Sequence, residues 1–198
     1  MTDVTDDRTL RVAVRQAGDL LQAAQDYLGR KLSERARVRF PRGYLRAASD
    51  WREQLGFMRS AGVKNNVAYS LMLLDLYLWL LRRTDLAGTA QDMVVKAVLA
   101  TTGSVAEAIL IDHFAGVLGK RQSFKARTRR LVQDGTVDHA LQVELDWLWD
   151  MRCRQHLFEL DVSDFAFYTL KDHERAVRAL VTLMRALQAA YDATEPVF

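Results

Sequence analysis

The residues best suited to chemistry lie together in the segment 147-WLWDMRCRQHLFEL-160. Arg152, Arg154, His156 and the chain's only cysteine, Cys153, interrupt a stretch that is otherwise apolar and rich in tryptophan. An arginine presents a fixed fork of hydrogen-bond donors that fits a phosphate, and a histidine exchanges protons near neutral pH. Together these residue types indicate phosphate chemistry assisted by a general acid or base.

Helical spacing predicts that Arg152 and His156 share one inward face. Leu141, Leu145 and Leu148 recur at i, i+4 and i+7, and the two polar residues continue that stripe in steps of four. Polar groups on an inward face must be paired or must line a cleft. The alternative without a function is that Arg152 pairs with a structural carboxylate and His156 donates to a backbone carbonyl.

The run RCRQHLFEL resembles the Arg-polar-His element of HEPN domains, which are compact helical bundles. The order of helices from Asn65 to Leu187 is also similar to that superfamily, with a long helical pair, the motif, and a closing helix DHERAVRALVTLMRAL. The resemblance implies metal-independent RNA cleavage in a basic cleft shared by two protomers. Arg152 would stabilise charge on the phosphate, while His156 would activate the ribose 2′-hydroxyl or protonate the leaving group.

Two departures from the family pattern favour an alternative function. Fewer residues separate Arg152 from His156 than in catalytic members, and Cys153 stands where Asn, Asp or His is usual. Cysteine cannot orient a partner as an asparagine side chain does. The alternative is a non-catalytic HEPN-like module that binds a partner protein or RNA. A nucleophilic Cys153, activated by its neighbours, is a further hypothesis.

A basic stretch is a candidate for binding the RNA backbone, and Phe124 interleaves with its cations. Its basic residues are Lys120, Arg121, Lys125, Arg127, Arg129 and Arg130. The alternative is a solvated helix face or connection. A second basic segment, Ser33–Arg46, is broken by Pro41 and Gly43 and is predicted to be a loop.

Two carboxylates interrupt apolar helical patterns. Glu107 is predicted either to orient Arg152 or to pair with Lys96 or another cation, and a structural pairing is favoured. Asp75 lies in 67-VAYSLMLLDLYLWLL-81, which is too short for a membrane span and is predicted to be a buried helix. A structural pairing is expected for Asp75 too.

Composition limits the remaining classes of function. Hydrophobic residues make up 49% and charged residues 27%, as in globular proteins. One cysteine excludes an intrachain disulfide and a multi-cysteine zinc site, and His113, His139 and His173 have no companions at ligand spacing. We therefore predict neither a metal nor a cofactor. The opening MTDVTDDRTL does not resemble a secretory signal, so a cytoplasmic location is expected.

The elements needed to position these residues are predicted to form an all-α, single-domain, HEPN-like helical bundle of about seven helices. Residues 1–64 would supply N-terminal helices and a basic connection packed on the bundle, and residues 65–198 the HEPN-like core, as one continuous domain. Helices are expected near residues 9–32, 45–58, 65–83 and 90–118, from 137 onwards, and after a capping pair at Thr169 and Asp172. Residues 157–170 are predicted to be an extended loop.

The function expected from these features is that of an endoribonuclease of toxin or defence type. The net charge of +3 supports RNA binding only slightly, because arginine-rich composition has other causes. The expected partners are RNA, a second copy of the chain in a homodimer, and a cognate antitoxin or other protein. No membrane association is expected.

Overall fold

The computed structural model describes residues 3–119, 121–154 and 167–194. Within these ranges the chain forms α-helices and no β-strand, which confirms the prediction of an all-α fold with about seven helices. The helices are α1 (Asp7–Leu28), α2 (Ala48–Glu53), α3 (Ala61–Arg83), α4 (Gly88–His113), α5 (Phe124–Gln133), α6 (His139–Cys153) and α7 (Leu170–Thr194). A short 3-10 helix, Glu34–Ala36, follows α1.

The chain divides into two compact units, Met1–Arg42 and Gly43–Phe198. The division predicted after residue 64 differs from this boundary, because α2 packs against α3 and so belongs with the second unit. The basic segment Ser33–Arg46 spans the boundary.

The N-terminal unit consists mainly of α1, which begins with a capping box. Asp6 accepts a hydrogen bond from the Thr9 N–H at 2.7 Å, and Thr9 Oγ1 accepts one from the Asp6 N–H at 3.0 Å. No residue of α1 is buried, although Leu10, Val14 and Leu21 recur along one face. The helix is therefore stabilised mainly by interactions along its own length.

The second unit is built around α4, which packs against α3, α5, α6 and α7. Among the described residues, α4 is the one helix that is long and apolar enough to cross a membrane. Half of its most apolar 18-residue window is buried inside the protein. Val95, Leu99 and Ile109 are each fully buried, as expected of the central helix of a bundle.

Side-chain caps fix where α3, α5, α6 and α7 begin. Ser60, Ser123 and Asp138 accept hydrogen bonds from the first turns of α3, α5 and α6. At α7, the Thr169 N–H donates to Asp172 Oδ2 at 2.9 Å, and the Asp172 N–H donates to Thr169 Oγ1 at 3.3 Å. The predicted capping pair is thus confirmed, and it sets the register in which α7 meets α4 and α6.

Helices α4 and α6 approach closely at Gly103. A Cβ atom added there would lie 2.8 Å from Arg152 Cβ and 3.0 Å from Arg152 Cγ. Because Arg152 Cβ is fixed to the α6 backbone, a larger residue at 103 would push the two helices apart. Glycine therefore permits the approach that brings Arg152 against α4.

Gly103→Ala should lower the free energy of unfolding by about 1 kcal/mol. Overpacking costs about 1–3 kcal/mol, and the higher helix propensity of alanine returns roughly 1 kcal/mol. Urea unfolding followed by tryptophan fluorescence measures the change. Gly62→Ala in α3 is the control, since nothing lies within 4 Å of that position and the same fluorescence signal reports on it. A Gly103→Ala protein as stable as the wild type would contradict the tight approach.

Candidate functional site

Helix α6 carries the arginine motif at its C-terminal end. Asp138 caps its start and accepts from the Leu141 N–H at 2.7 Å. Leu141, Leu145 and Leu148 form the predicted inward stripe, and all three are buried. The stripe fixes the rotation of α6 about its axis and so directs the stem of Arg152 towards α4.

The Arg152 guanidinium lies between a carboxylate and an aromatic ring. Its Nη2 donates to Glu107 Oε2 at 3.3 Å, and its Cζ lies 4.6 Å from the ring centroid of Trp149. About a third of the side chain is exposed, 34%. Within the described part of the chain, Nη2 is the one nitrogen that is engaged, so Nε and Nη1 can bind an anion.

Glu107 comes from the middle of α4 and meets Arg152 across the interface between α4 and α6. The sequence left Arg152 and Lys96 open as its partners, and the geometry pairs it with Arg152. The Lys96 ammonium instead lies 5.7 Å from the ring centroid of Tyr168. Glu107 therefore restricts the direction in which the Arg152 guanidinium points.

The remaining motif residues follow directly on Arg152. Cys153 ends α6 with a free, half-buried thiol, and Arg154 is exposed at the C-cap, where its N–H donates to the Asp150 carbonyl at 3.1 Å. His156, the proposed proton-transfer residue, lies outside the described residues. Most of the loop predicted over residues 157–170 lies outside them as well.

Trp149 links the motif to α5. Phe124 stacks on Trp149 with ring centroids 4.7 Å apart and planes 4° from parallel. Phe124 is 3% exposed, so it packs in the core and is not free to stack on a base, contrary to the interleaving that its sequence position suggested. The Phe124–Trp149 stack places the start of α5 beside Arg152.

The basic residues of α5 have different surroundings. Lys125 binds Asp150 at 2.6 Å, and this hydrogen bond is the main cause that raises the pKa of Lys125. Arg130 pairs with Asp134 one turn later at 2.8 Å. Both cations remain partly exposed, so each ion pair offsets the positive charge of its cation but leaves the side chain accessible to solvent.

Three more members of the basic stretch differ from one another. Arg121 and Arg129 are exposed, and Arg129 Nε donates to the Lys125 carbonyl at 3.1 Å. Arg127 is buried and its Nη1 donates to the Gln122 carbonyl, so it supports the turn before α5 and cannot reach a phosphate. Expecting Arg127 to bind RNA is therefore at odds with the structure. Lys120 lies outside the described residues.

Two further carboxylates, Asp75 and Asp112, stabilise the packing of the helices. Asp75 is paired, as predicted, and its partner is Arg46, which the sequence had assigned to the basic loop. Asp112, which the sequence analysis did not single out, accepts from the backbone N–H groups of Arg59 and Ser60 at 2.7 and 2.9 Å. A carboxylate in the last turn of an apolar helix was the signal that could have identified it.

His173 is buried and His113 is half-buried, and at both histidines the effect of burial on the pKa outweighs that of the nearby carboxylates. Desolvation is the main cause that lowers the pKa of His113 and of His173, and the nearby charges of Arg59 and Arg82 act in the same direction. In the part of the chain that the structure describes, no three His, Cys, Asp or Glu residues converge in a group that could hold a metal ion.

Comparison of the chain with protein-family models, with curated proteins and with solved structures found no match. The resemblance to HEPN domains that the sequence suggests therefore stays a prediction.

Proposed function

We propose that the protein is a HEPN-like, metal-independent endoribonuclease of toxin or defence type that acts in the cytoplasm as a homodimer. The observation that carries this proposal is the setting of Arg152. Its guanidinium is oriented by Glu107 and Trp149 and is partly open to solvent, and its Nε and Nη1 have no partner among the described residues and so can bind a phosphate. Arg152 also lies at the C-terminal end of α6, and Arg154 and His156 follow it closely in the sequence.

Charge near this end of α6 supports an RNA ligand. Exposed or partly exposed cations at Arg121, Lys125, Arg129, Arg152 and Arg154 outnumber the neighbouring carboxylates. Among the described residues, the neighbouring carboxylates are Glu107, Asp146 and Asp150. A surplus of arginine and lysine on one surface attracts a polyanion and orients its backbone.

The proposed chemistry divides between two side chains. A neutral His156 takes the proton of a ribose 2′-hydroxyl, and the oxygen attacks the adjacent phosphorus. A protonated His156, supplied by the second protomer, gives a proton to the departing 5′-oxygen. Arg152 stabilises the added negative charge on the phosphate oxygens. The products are a 2′,3′-cyclic phosphate and a free 5′-hydroxyl.

A second candidate is a non-catalytic HEPN-like module that binds RNA or a partner protein, such as a cognate antitoxin. The ion pair with Glu107 favours it, because the carboxylate neutralises much of the charge that catalysis requires of Arg152. RNA binding without cleavage would distinguish this function from the first.

His156→Ala should reduce RNA cleavage by about 10²–10⁴-fold, the range for loss of a general acid or base. Arg152→Ala should reduce it by about 10²–10³-fold, as when a group that stabilises an oxyanion is removed. The assay uses purified protein, end-labelled single-stranded RNA and EDTA. His139→Ala is the matched control, because His139 is an exposed histidine at the start of α6.

Equal cleavage by the wild type and His156→Ala, or no cleavage by either, would exclude the catalytic proposal. Binding measured by fluorescence anisotropy then tests the second candidate. Replacing both Arg121 and Arg129 with alanine should weaken binding at low salt. It should also flatten the plot of log affinity against log salt concentration, by about 0.7 in slope for each phosphate that is no longer neutralised. Light scattering after size exclusion tests the homodimer.

A further inference from the structure

A separate cavity of about 450 Å³ lies between α2, α3 and α7, away from Arg152. Most of its wall is apolar, including Leu71, Leu78, Leu180 and Met184. A cavity of this size and character is typical of sites for small organic molecules. The second unit alone supplies all of its lining, so the site is complete within residues 43–198.

One part of the wall is polar and lies around Trp51. The Arg46 guanidinium stacks over the Trp51 ring, with Cζ 3.6 Å from the centroid. Arg46 binds Asp75 through Nε and Nη2, which leaves Nη1 without a partner among the described residues. The Trp51 Nε1 atom is buried and also has no hydrogen-bond partner there. A buried donor without a partner costs free energy that a ligand accepting a hydrogen bond can recover.

The charges that line the cavity favour an anion. Arg46 and Arg185 are positive, and Asp75 supplies the one acidic charge. Arg185 is exposed and forms no ion pair with any described residue. His173 also lines the cavity, and the lowered pKa that burial gives it keeps it neutral at pH 7.5. The net charge of the lining is therefore positive. The two donors without a partner among the described residues, Arg46 Nη1 and Trp51 Nε1, suit a carboxylate.

We propose that this cavity binds a small amphipathic carboxylic acid. The hydrocarbon chain lies among the leucines and Met184, and the carboxylate accepts hydrogen bonds from Arg46 and Trp51 Nε1 while Arg185 attracts it from the rim. The apolar wall supplies most of the affinity, and the polar end supplies the selectivity for an acid. This site is independent of the proposed RNA cleavage.

Isothermal titration calorimetry at pH 7.5 with three ligands of equal chain length tests the proposal. Sodium octanoate, octan-1-ol and octylammonium chloride differ only in the head group, and all are used below the concentrations at which they aggregate. We expect octanoate to bind at least about tenfold more tightly than either of the others, since a carboxylate gains charge-assisted hydrogen bonds. Arg152→Ala should leave its binding unchanged.

Two variants locate the site. Val181→Trp should abolish octanoate binding, because Val181 lines the cavity and an indole would occupy it. Arg185→Gln should weaken binding severalfold, and this exposed position is safe for folding. Arg178→Gln on the same helix is the control, since Arg178 is exposed and does not line the cavity. The proposal is overturned if octanol or octylammonium binds as tightly as octanoate, or if Arg185→Gln and Arg178→Gln bind alike.

Discussion

Arg46→Met should lower the free energy of unfolding by about 3 kcal/mol, the lower end of the range for breaking a buried ion pair by removing one partner. The reason is the unequal burial of Arg46 and Asp75. The Asp75 side chain is 5% exposed and the Arg46 side chain 46% exposed, and they meet at 2.6 Å. Without Arg46 the carboxylate stays buried with a single backbone donor, the N–H of residue 46. Chemical unfolding in urea measures the change.

The same asymmetry predicts that removing the carboxylate costs less. Asp75→Ala leaves a guanidinium that water can solvate, so the loss should be about 1–2 kcal/mol. Arg46→Met combined with Asp75→Leu should recover most of the deficit, because an apolar pair leaves no buried charge. Arg178→Met serves as the control and should change stability by less than about 0.5 kcal/mol. A larger loss for Asp75→Ala than for Arg46→Met would refute this account.

Asp112→Ala should lower the free energy of unfolding by about 2–4 kcal/mol. The buried carboxylate accepts two backbone hydrogen bonds, from Arg59 at 2.7 Å and from Ser60 at 2.9 Å. Its removal leaves both N–H groups without a protein acceptor, and an unsatisfied donor costs about 1–3 kcal/mol, less where water can replace the acceptor. Without these bonds, the turn that leads into α3 also becomes freer to move. Urea unfolding gives the energy, and amide hydrogen exchange at the start of α3 gives the location.

Asp112→Asn separates the effect of the hydrogen bonds from the effect of side-chain volume. The amide keeps the shape and one acceptor oxygen but turns an NH₂ group towards a backbone N–H, so its cost should be a large part of that of Asp112→Ala. Asp85→Ala is the matched control, because Asp85 is exposed. If Asp112→Asn were as stable as the wild type, the two backbone bonds would not be the source of the effect.

The long helices could be predicted because their buried faces are apolar. In α5, by contrast, the buried positions are Phe124, Arg127, Thr128 and Leu131. Their spacing is that of one helix face, but the two polar residues conceal it from any prediction based on hydrophobicity. The Thr128 hydroxyl donates to Asp146 at 2.7 Å across the interface with α6, a contact that sequence spacing cannot reveal.

The candidate site could be predicted in part for a similar reason. Local helical spacing placed Arg152 on the face of α6 that meets α4, since that depends on neighbours in sequence. The pairing with Glu107 joins residues 45 positions apart, and Arg46 meets Asp75 over 29 positions. Such pairs depend on how helices pack, so the sequence left several cations open for Glu107 and named none for Asp75.

The absence of buried residues in α1 affects how unfolding is observed. All four tryptophans, Trp51, Trp79, Trp147 and Trp149, lie after residue 42, so tryptophan fluorescence reports on the second unit alone. Far-ultraviolet circular dichroism counts helical residues everywhere, including the 22 of α1. A single helix without buried contacts melts gradually, whereas a packed core melts in one sharp step. The dichroism signal should therefore slope downwards through temperatures at which the tryptophan fluorescence is still flat, and this slope would not indicate an intermediate in the unfolding of the core.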